Sequence, residues 1–207
     1  KFLGFIKSKM KRKAIIISIK SYQLSAEEKK LFKKDKPWGI ILFKRNVKSL
    51  NQLKKLIQKI TSITKDNKFP IIIDEEGVSV SRLKNIITNN ISQKFIGDLY
   101  KLNPKLSTNY YKSYLNHIIK NLKKIGININ TVPVLDVLRK NTSSIIGNRS
   151  FSTNSNIIKI LGKICVKEYN LNKVATVIKH IPGHGCALVD SHLKLPKVSL
   201  KYNELEK

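Results

Sequence analysis

Apolar residues along this chain gather in short blocks that switch between two periods. Apolar runs over Ala14 to Ile17, Gly39 to Phe43 and Pro70 to Ile73 have the length of strands; the first reads as a strand to Ile19, and Gly39 to Phe43 as one buried on both faces. Between them Leu50, Leu53, Ile57 and Ile60 recur at helical spacing, which predicts a helix over Ser49 to Thr61 with Ser49 as its cap. Ser25 is placed to cap another over Ala26 to Lys34. A third helix is read over Leu106 to Lys124, with Leu115, Ile118, Ile119 and Leu122 on one stripe. A strand follows over Ile127 to Val134, then a helix over Asn154 to Tyr169 with Ile157, Ile160, Leu161, Ile164 and Cys165 facing inward, then a strand over Val174 to Ile178. This rhythm predicts βα units on a parallel sheet. No Gly-x-Gly-x-x-Gly turn opens the first helix, so dinucleotide binding has no support. Asp74 follows one strand, and Lys179 and His180 end another, which is where a (β/α)8 barrel keeps its active site. A full barrel takes about 250 residues. Five units in 207 residues therefore predict an α/β fold of the (β/α)8 type, incomplete.

Composition changes this picture little. Hydrophobic residues make up 41%, enough for a core. No apolar run approaches the roughly 18 residues of a membrane span, so no membrane partner is expected. The N-terminus carries basic residues without the apolar stretch of a signal peptide. Two cysteines, Cys165 and Cys186, are too few for a disulfide scaffold, and the chain reads as a soluble protein of a reducing compartment.

The net charge of +28 is the loudest feature and the least informative. Of 41 basic residues 36 are lysine, and Lys, Ile and Asn together fill 85 of 207 positions. These three share A/T-rich codons, so the basicity is read as a record of mutation pressure. A nucleic-acid reader clusters its basic residues and uses arginine for bidentate contacts. Here lysines spread along nearly the whole chain, and no specific nucleic-acid partner is expected beyond weak, salt-sensitive adhesion to polyanions. A basic nucleic-acid or anion-binding module is the rival of another class.

Three of the four histidines fall within thirteen positions: His180, His184 and His192. Pro182, Gly183 and Gly185 forbid a regular helix there, so the stretch is a shaped loop. It admits two chemistries. One is a metal site from the three histidines with Cys186 or Asp190, although the spacing matches no familiar zinc pattern. The other is acid–base work by Asp190 and His192, in which the carboxylate orients the ring and favours its charged form. A second constellation is Asp74-Glu75-Glu76-Gly77 with Arg82. Glu75 and Glu76 read as a solvated acidic turn, whereas Asp74 directly follows a buried strand and could accept hydrogen bonds from two sugar hydroxyls. A third is Gly147 to Phe151. Its Arg149 is one of five arginines in a lysine-rich chain, which suggests that the planar fork is needed.

Taken in order, these blocks resemble a known family. Lys179-His180-Ile181-Pro182-Gly183-His184-Gly185, then Asp190-Ser191-His192 and Leu195-Pro196, resembles the signature loop of bacterial family 3 β-N-acetylhexosaminidases. Trp38 to Val47, Ile73 to Arg82 and Gly147 to Phe151 fall in the same family's order and spacing. The resemblance runs from about residue 13 to the end. It implies a TIM barrel that removes terminal N-acetylglucosamine from peptidoglycan fragments during cell-wall recycling, in the cytoplasm, with no metal or cofactor and through a covalent glycosyl-enzyme intermediate. By the same resemblance His192 is the general acid/base, unlike the usual two-carboxylate design, and Asp190 is its partner. Asp74, Arg82, Arg149, Lys179 and His180 would hold the sugar, and His184 would brace the loop.

The chain departs from the family's Asp-Gln-Glu-Gly-Gly-Arg at Glu75, Val78 and Ser79. Val78 in place of glycine predicts strain in a turn that needs positive φ. Cys186 stands where the family often has Asp or Arg. The family's nucleophile is an aspartate on a later loop, and no aspartate follows Asp190. The resulting expectation has residues 1–9 as a leader or non-native extension and residues 10–207 as the N-terminal portion of the hydrolase domain. That portion would be truncated or split, inactive alone, and open to a C-terminal complementing fragment. The alternatives are a metal-dependent hydrolase using His180, His184 and His192, and an inactive remnant.

Overall fold

The structure is a computed structural model and describes residues 12–140, 142–187, 189–198 and 203. The expected leader, residues 1–9, lies outside the described residues. The elements are β1 (Lys13–Ile17), α1 (Ala26–Lys34), β2 (Pro37–Leu42), α2 (Leu50–Thr64), β3 (Ile71–Ile73), α3 (Gln93–Leu102), α4 (Pro104–Ile125), β4 (Ile129–Asn130), α5 (Ser155–Leu171) and β5 (Ala175–Thr176). All five strands pair in parallel and in chain order. This is the run of βα steps expected from the alternating pattern, and the wall of a partial (β/α)8 barrel. Among the described residues, neither β1 nor β5 has a further strand on its outer edge.

Local chemistry sets the helix ends. Ser25 and Glu28 form a reciprocal capping box at the start of α1. Ser49 caps α2 by accepting the Gln52 amide, and Asn103 caps α4 ahead of Pro104. Gly126 closes α4 in the left-handed conformation at φ 103°. Leu53, Ile57 and Ile60 of α2 and Leu115, Ile118, Ile119 and Leu122 of α4 are buried, as their spacing predicts. They face a sheet whose central positions, Ile40, Leu42, Ile71 and Ile73, are buried too.

One element was missed and two expectations are corrected. Helix α3 lies in a stretch for which the sequence predicts no element. Ile160 of α5 is exposed and Ile158 is buried in its place, while Leu161 and Cys165 face inward as read. The last two strands are shorter than read. Pro133 has no N–H to donate, so the β4–β5 ladder lapses. It resumes as one parallel bridge between Val134 and Lys179.

Candidate active site

Three strand ends carry the residues named from the sequence. Asp74 comes directly after β3. Asn130, at the end of β4, ties the next residue down: its side chain accepts the Glu75 amide and donates to the Glu75 carbonyl, both at 2.9 Å. Thr131 follows, its amide held by the Ile73 carbonyl at 3.0 Å. Lys179 is fixed through its backbone, its amide donating to Pro133 O at 3.3 Å and its carbonyl accepting Leu135 N at 2.7 Å. The sheet itself thus aims Asp74, Thr131 and Lys179 at one place.

There the side chains interlock. The Lys179 ammonium lies 2.5 Å from Glu76 Oε1, 2.8 Å from Thr131 Oγ1 and 3.4 Å from Asp74 Oδ1. The other Asp74 oxygen pairs with Arg82 Nη2 at 3.2 Å. Arg149 grips Glu76 with Nε at 2.8 Å and Nη2 at 3.0 Å, so the retained arginine does use its planar fork. It uses it on a carboxylate of its own chain. Arg149 Nη2 also lies 3.3 Å from His180 Nε2. Burial pushes the Asp74 carboxyl up, but Lys179, the Thr131 hydroxyl and Arg82 outweigh it and hold the group below its ordinary value. The structure therefore brings five of the predicted residues, Asp74, Arg82, Arg149, Lys179 and His180, into one connected cluster. Its ammonium and guanidinium groups donate and its carboxylates accept, which suits a polyhydroxylated ligand.

The acidic turn expected at Glu75 and Glu76 is not solvated. Glu75 is 2% and Glu76 6% exposed. Sequence alone shows three charges in a row; it does not show that Arg149, 73 positions away, neutralises one of them. The strain expected at Val78 does not arise either. Positive φ in this turn falls on Gly77, where a Cβ would collide with the Ile91 carbonyl.

Asp136 was missed. Its side chain is fully buried, with Oδ2 2.5 Å from His180 Nδ1. Its Oδ1 accepts the amides of His184 at 2.5 Å and Gly185 at 3.1 Å. Burial raises the Asp136 carboxyl, and His180 with the two amides brings it below its ordinary value. It orients the imidazole and anchors the glycine loop at once. Gly185 is needed for the close approach, because a Cβ there would meet the Val137 backbone. A lone acid in the apolar run Val132 to Leu138, just after a strand as Asp74 is, was the available signal. Gln93 was missed too: it donates to the Arg149 carbonyl and accepts Val134 N at 3.3 Å.

The remaining pair stands apart. His192 Nδ1 is 2.7 Å from Asp190 Oδ1, which also accepts the His192 amide at 2.8 Å. The His192 amide and ring hold the Asp190 carboxyl below its usual range. The His192 side chain is 77% exposed, and among the described residues no hydrogen bond or ion pair links this dyad to the cluster. His184 stacks edge-on against His180 with ring centres 5.9 Å apart, its ring nitrogens buried without hydrogen-bond partners among the described residues. A metal site would need His180, His184 and His192 to converge. Among the described residues no three His, Cys, Asp or Glu side chains form a group able to hold an ion.

Comparison with known proteins gives this geometry a context. The model of the glycosyl hydrolase family 3 N-terminal domain matches residues 8–207. Beta-hexosaminidase A of Pseudoalteromonas piscicida is 36% identical over 168 residues, which are 77% of this chain and 27% of that protein. The beta-hexosaminidase of Neisseria gonorrhoeae is 30% identical over 196 residues, 94% of this chain and 54% of that one. The crystal structure of native NagZ from Neisseria gonorrhoeae superposes with a TM-score of 0.88 at 30% identity, covering 94% of this chain and 57% of NagZ. A family 3 β-N-acetylglucosaminidase from Paenibacillus gives 0.80 at 29% identity, covering 92% of this chain and 36% of that one. The chain thus spans about half or less of the length of these relatives.

Proposed function

The chain belongs to glycosyl hydrolase family 3 through its N-terminal domain, and on that footing we propose that it carries the sugar-holding and acid/base halves of a β-N-acetylhexosaminidase site. The substrate is a terminal N-acetylglucosamine of a peptidoglycan fragment, as in cell-wall recycling. The observation that carries this reading is the cluster at the ends of β3, β4 and β5. Asp74 accepts from a sugar hydroxyl, Lys179 and Arg82 donate to the same diol, and Arg149 with His180 lines the adjoining wall. The relatives support the amino sugar. Neisseria gonorrhoeae NagZ was solved in complex with N-trifluoroacetyl-D-glucosamine, and the chain matches that structure with a TM-score of 0.86.

His192, steadied by Asp190, donates a proton to the departing glycosidic oxygen and then takes one from water. Its exposed loop has to settle over the bound sugar to do so. A retaining reaction also needs a nucleophile. No aspartate follows Asp190 in these residues, so the nucleophile comes from outside them, from further βα units. A groove of about 510 Å³ floored by Leu135, Val137, Ile158 and Val166 offers the next unit a surface to pack on.

Calorimetric titration tests the reading. N-acetylglucosamine should bind the chain better than glucose does, and Asp74→Ala and Lys179→Ala should each abolish the heat. Equal binding by these variants would overturn the assignment of the cluster. The chain alone should not hydrolyse a chromogenic N-acetylglucosaminide. Saturable hydrolysis lost in His192→Ala would show that the nucleophile lies within it.

A further inference from the structure

Glu75 sits behind the cluster rather than in it. Its Oε2 accepts the backbone amides of Arg82 at 2.9 Å and Leu83 at 3.0 Å, and its Oε1 accepts Asn89 Nδ2 at 2.5 Å. Its own amide and carbonyl are both held by the Asn130 side chain. The segment closes further through a Glu75–Ser81 antiparallel bridge. The amides of Glu76 and Gly77 donate to Val80 O at 2.8 and 3.2 Å. Arg82, whose amide Glu75 holds, reaches Asp74 with one terminal nitrogen and lies 5.9 Å from the Phe43 ring centre. Its Nε is buried with no hydrogen-bond partner among the described residues. With so little gripping the side chain, the backbone that carries it decides where the guanidinium lies.

We infer that Glu75 is a positioning residue whose carboxylate closes the segment from residue 75 to residue 83 and so sets where Arg82 presents its guanidinium beside Asp74. The functional part of this inference rests on the proposed sugar-holding role of Arg82 and Asp74. The structural part does not.

The two amides and the Asn89 side chain are all donors to the carboxylate, which makes substitutions diagnostic. Alanine leaves the amides of Arg82 and Leu83 without an acceptor inside the fold. Glutamine keeps one oxygen for those two amides and turns its NH₂ to Asn89. Asn89 meets it by turning its amide over, because the Tyr114 hydroxyl that now donates to Asn89 Oδ1 can accept instead. Rescue by glutamine is thus expected from hydrogen bonding and not from charge.

Charge leaves its own signature. The groups around Glu75 are Tyr111 and Tyr114 from α4, Cys165 and Tyr169 from α5, and Asp74, Glu76 and Arg82 from its own segment. Burial pushes the three phenols up and Cys165 to about 12. Burial also raises Glu75, against Asn89, the nearby Ser81 hydroxyl and the two amides. For an acid raised in the folded state, stability falls as pH climbs from its ordinary value to its folded one. Glu75→Gln has no such loss, so its stability relative to wild type should grow across that window and be level on either side.

The experiment is amide hydrogen exchange with urea unfolding across pH on the full chain, using Glu75→Ala, Glu75→Gln and Asn89→Ala. Exchange at Arg82 and Leu83 should rise about tenfold to a hundredfold in Glu75→Ala, less in Asn89→Ala, and return to wild type in Glu75→Gln. If Glu75→Ala does not fold, the Asn89→Ala and Glu75→Gln results decide. Unmoved exchange in Glu75→Ala, or in Asn89→Ala where Glu75→Ala does not fold, or a glutamine variant that folds yet exchanges as fast as the alanine variants, would overturn the inference. Titration with N-acetylglucosamine separates the two claims. Arg82→Ala binding the sugar as wild type does would refute the sugar-holding role, while exchange at residues 82 and 83 still judges the positioning.

Discussion

The two parts of the candidate site are built in opposite ways. The cluster of Asp74, Glu76, Arg82, Arg149 and Lys179 hangs on three strand ends, and each member is held by at least one ion pair within the fold. The dyad of Asp190 and His192 is held by residues two apart on an exposed loop. The first arrangement is fixed before any ligand arrives. The second is a local unit that, among the described residues, no hydrogen bond or ion pair ties to the cluster. A sugar pocket benefits from groups that need no reorganisation on binding. A proton donor to a leaving group has to admit the substrate first and close on it afterwards. On this view the cluster carries affinity and the dyad carries chemistry, and variants can be ranked by what each does to the fold.

The largest effect belongs to Glu76→Ala. It strips Arg149 and Lys179 of a shared carboxylate whose side chain is 3% exposed. Removing one partner of a buried charge group costs about 3–5 kcal/mol, so the urea midpoint should drop steeply with an unchanged slope. Asp136→Ala comes next. It frees two backbone amides and releases the His180 ring. Stranded buried donors cost about 1–3 kcal/mol each, offset where water reaches them, so a drop of that order in unfolding free energy is expected. If either variant unfolds at the wild-type midpoint, the cluster is not the rigid half of the comparison.

This contrast explains what could be read from the chain. Helices with a full apolar stripe were legible, because burial imposes the 3.6-residue period that α2 and α4 display. α3 was not: Gly97 and Asp98 break its stripe, and Gly97 is there to let the Phe151 carbonyl approach. The positions of Asp74, Lys179 and His180 were legible because strand ends mark the mouth of a barrel. The environments of Glu75 and Glu76 were not, since what buries them comes from distant residues: Arg149 and Lys179 for one, Asn89 and Asn130 for the other. Asp136 was hidden for the opposite reason, as a single letter without a motif. Sequence pattern reports which face an element turns to the core. It does not report which charge finds which.

Acid should loosen the cluster. Asp74 is lowered in the folded state, so its contribution is fully present above the ordinary carboxylate value and is lost as pH falls through the folded one. Asp136 behaves alike. Glu75 runs the other way and gains as pH falls. Asp74→Asn should therefore destabilise the chain at neutral pH and flatten its acid limb below about pH 4. Urea midpoints at pH 3 and pH 7 check this. A variant that loses as much between those two values as wild type would mean that Asp74 is not the group whose ionisation the cluster supports.

The smallest effect on the fold, and the most selective on chemistry, is expected from His192→Ala. The side chain is 77% exposed and, among the described residues, bonded only to its neighbour Asp190, so its loss should leave the urea midpoint where it was. Activity in the proposed hydrolase is another matter. An alkoxide leaving from a natural glycoside needs a proton in the transition state, and positioned acid catalysis contributes about 10²–10⁴-fold. An activated phenolate leaves nearly as well without one. His192→Ala should therefore cut turnover on N-acetylglucosamine disaccharides by that order while sparing aryl glycosides with good leaving groups in the glycosylation step. Asp190→Ala should give a milder version of the same split, because Asp190 aims and charges the ring without touching the sugar. Equal losses on both substrates would remove His192 from the acid's role. A collapsed midpoint would instead place the dyad within the rigid framework, and the division between a fixed cluster and a separate dyad would fall.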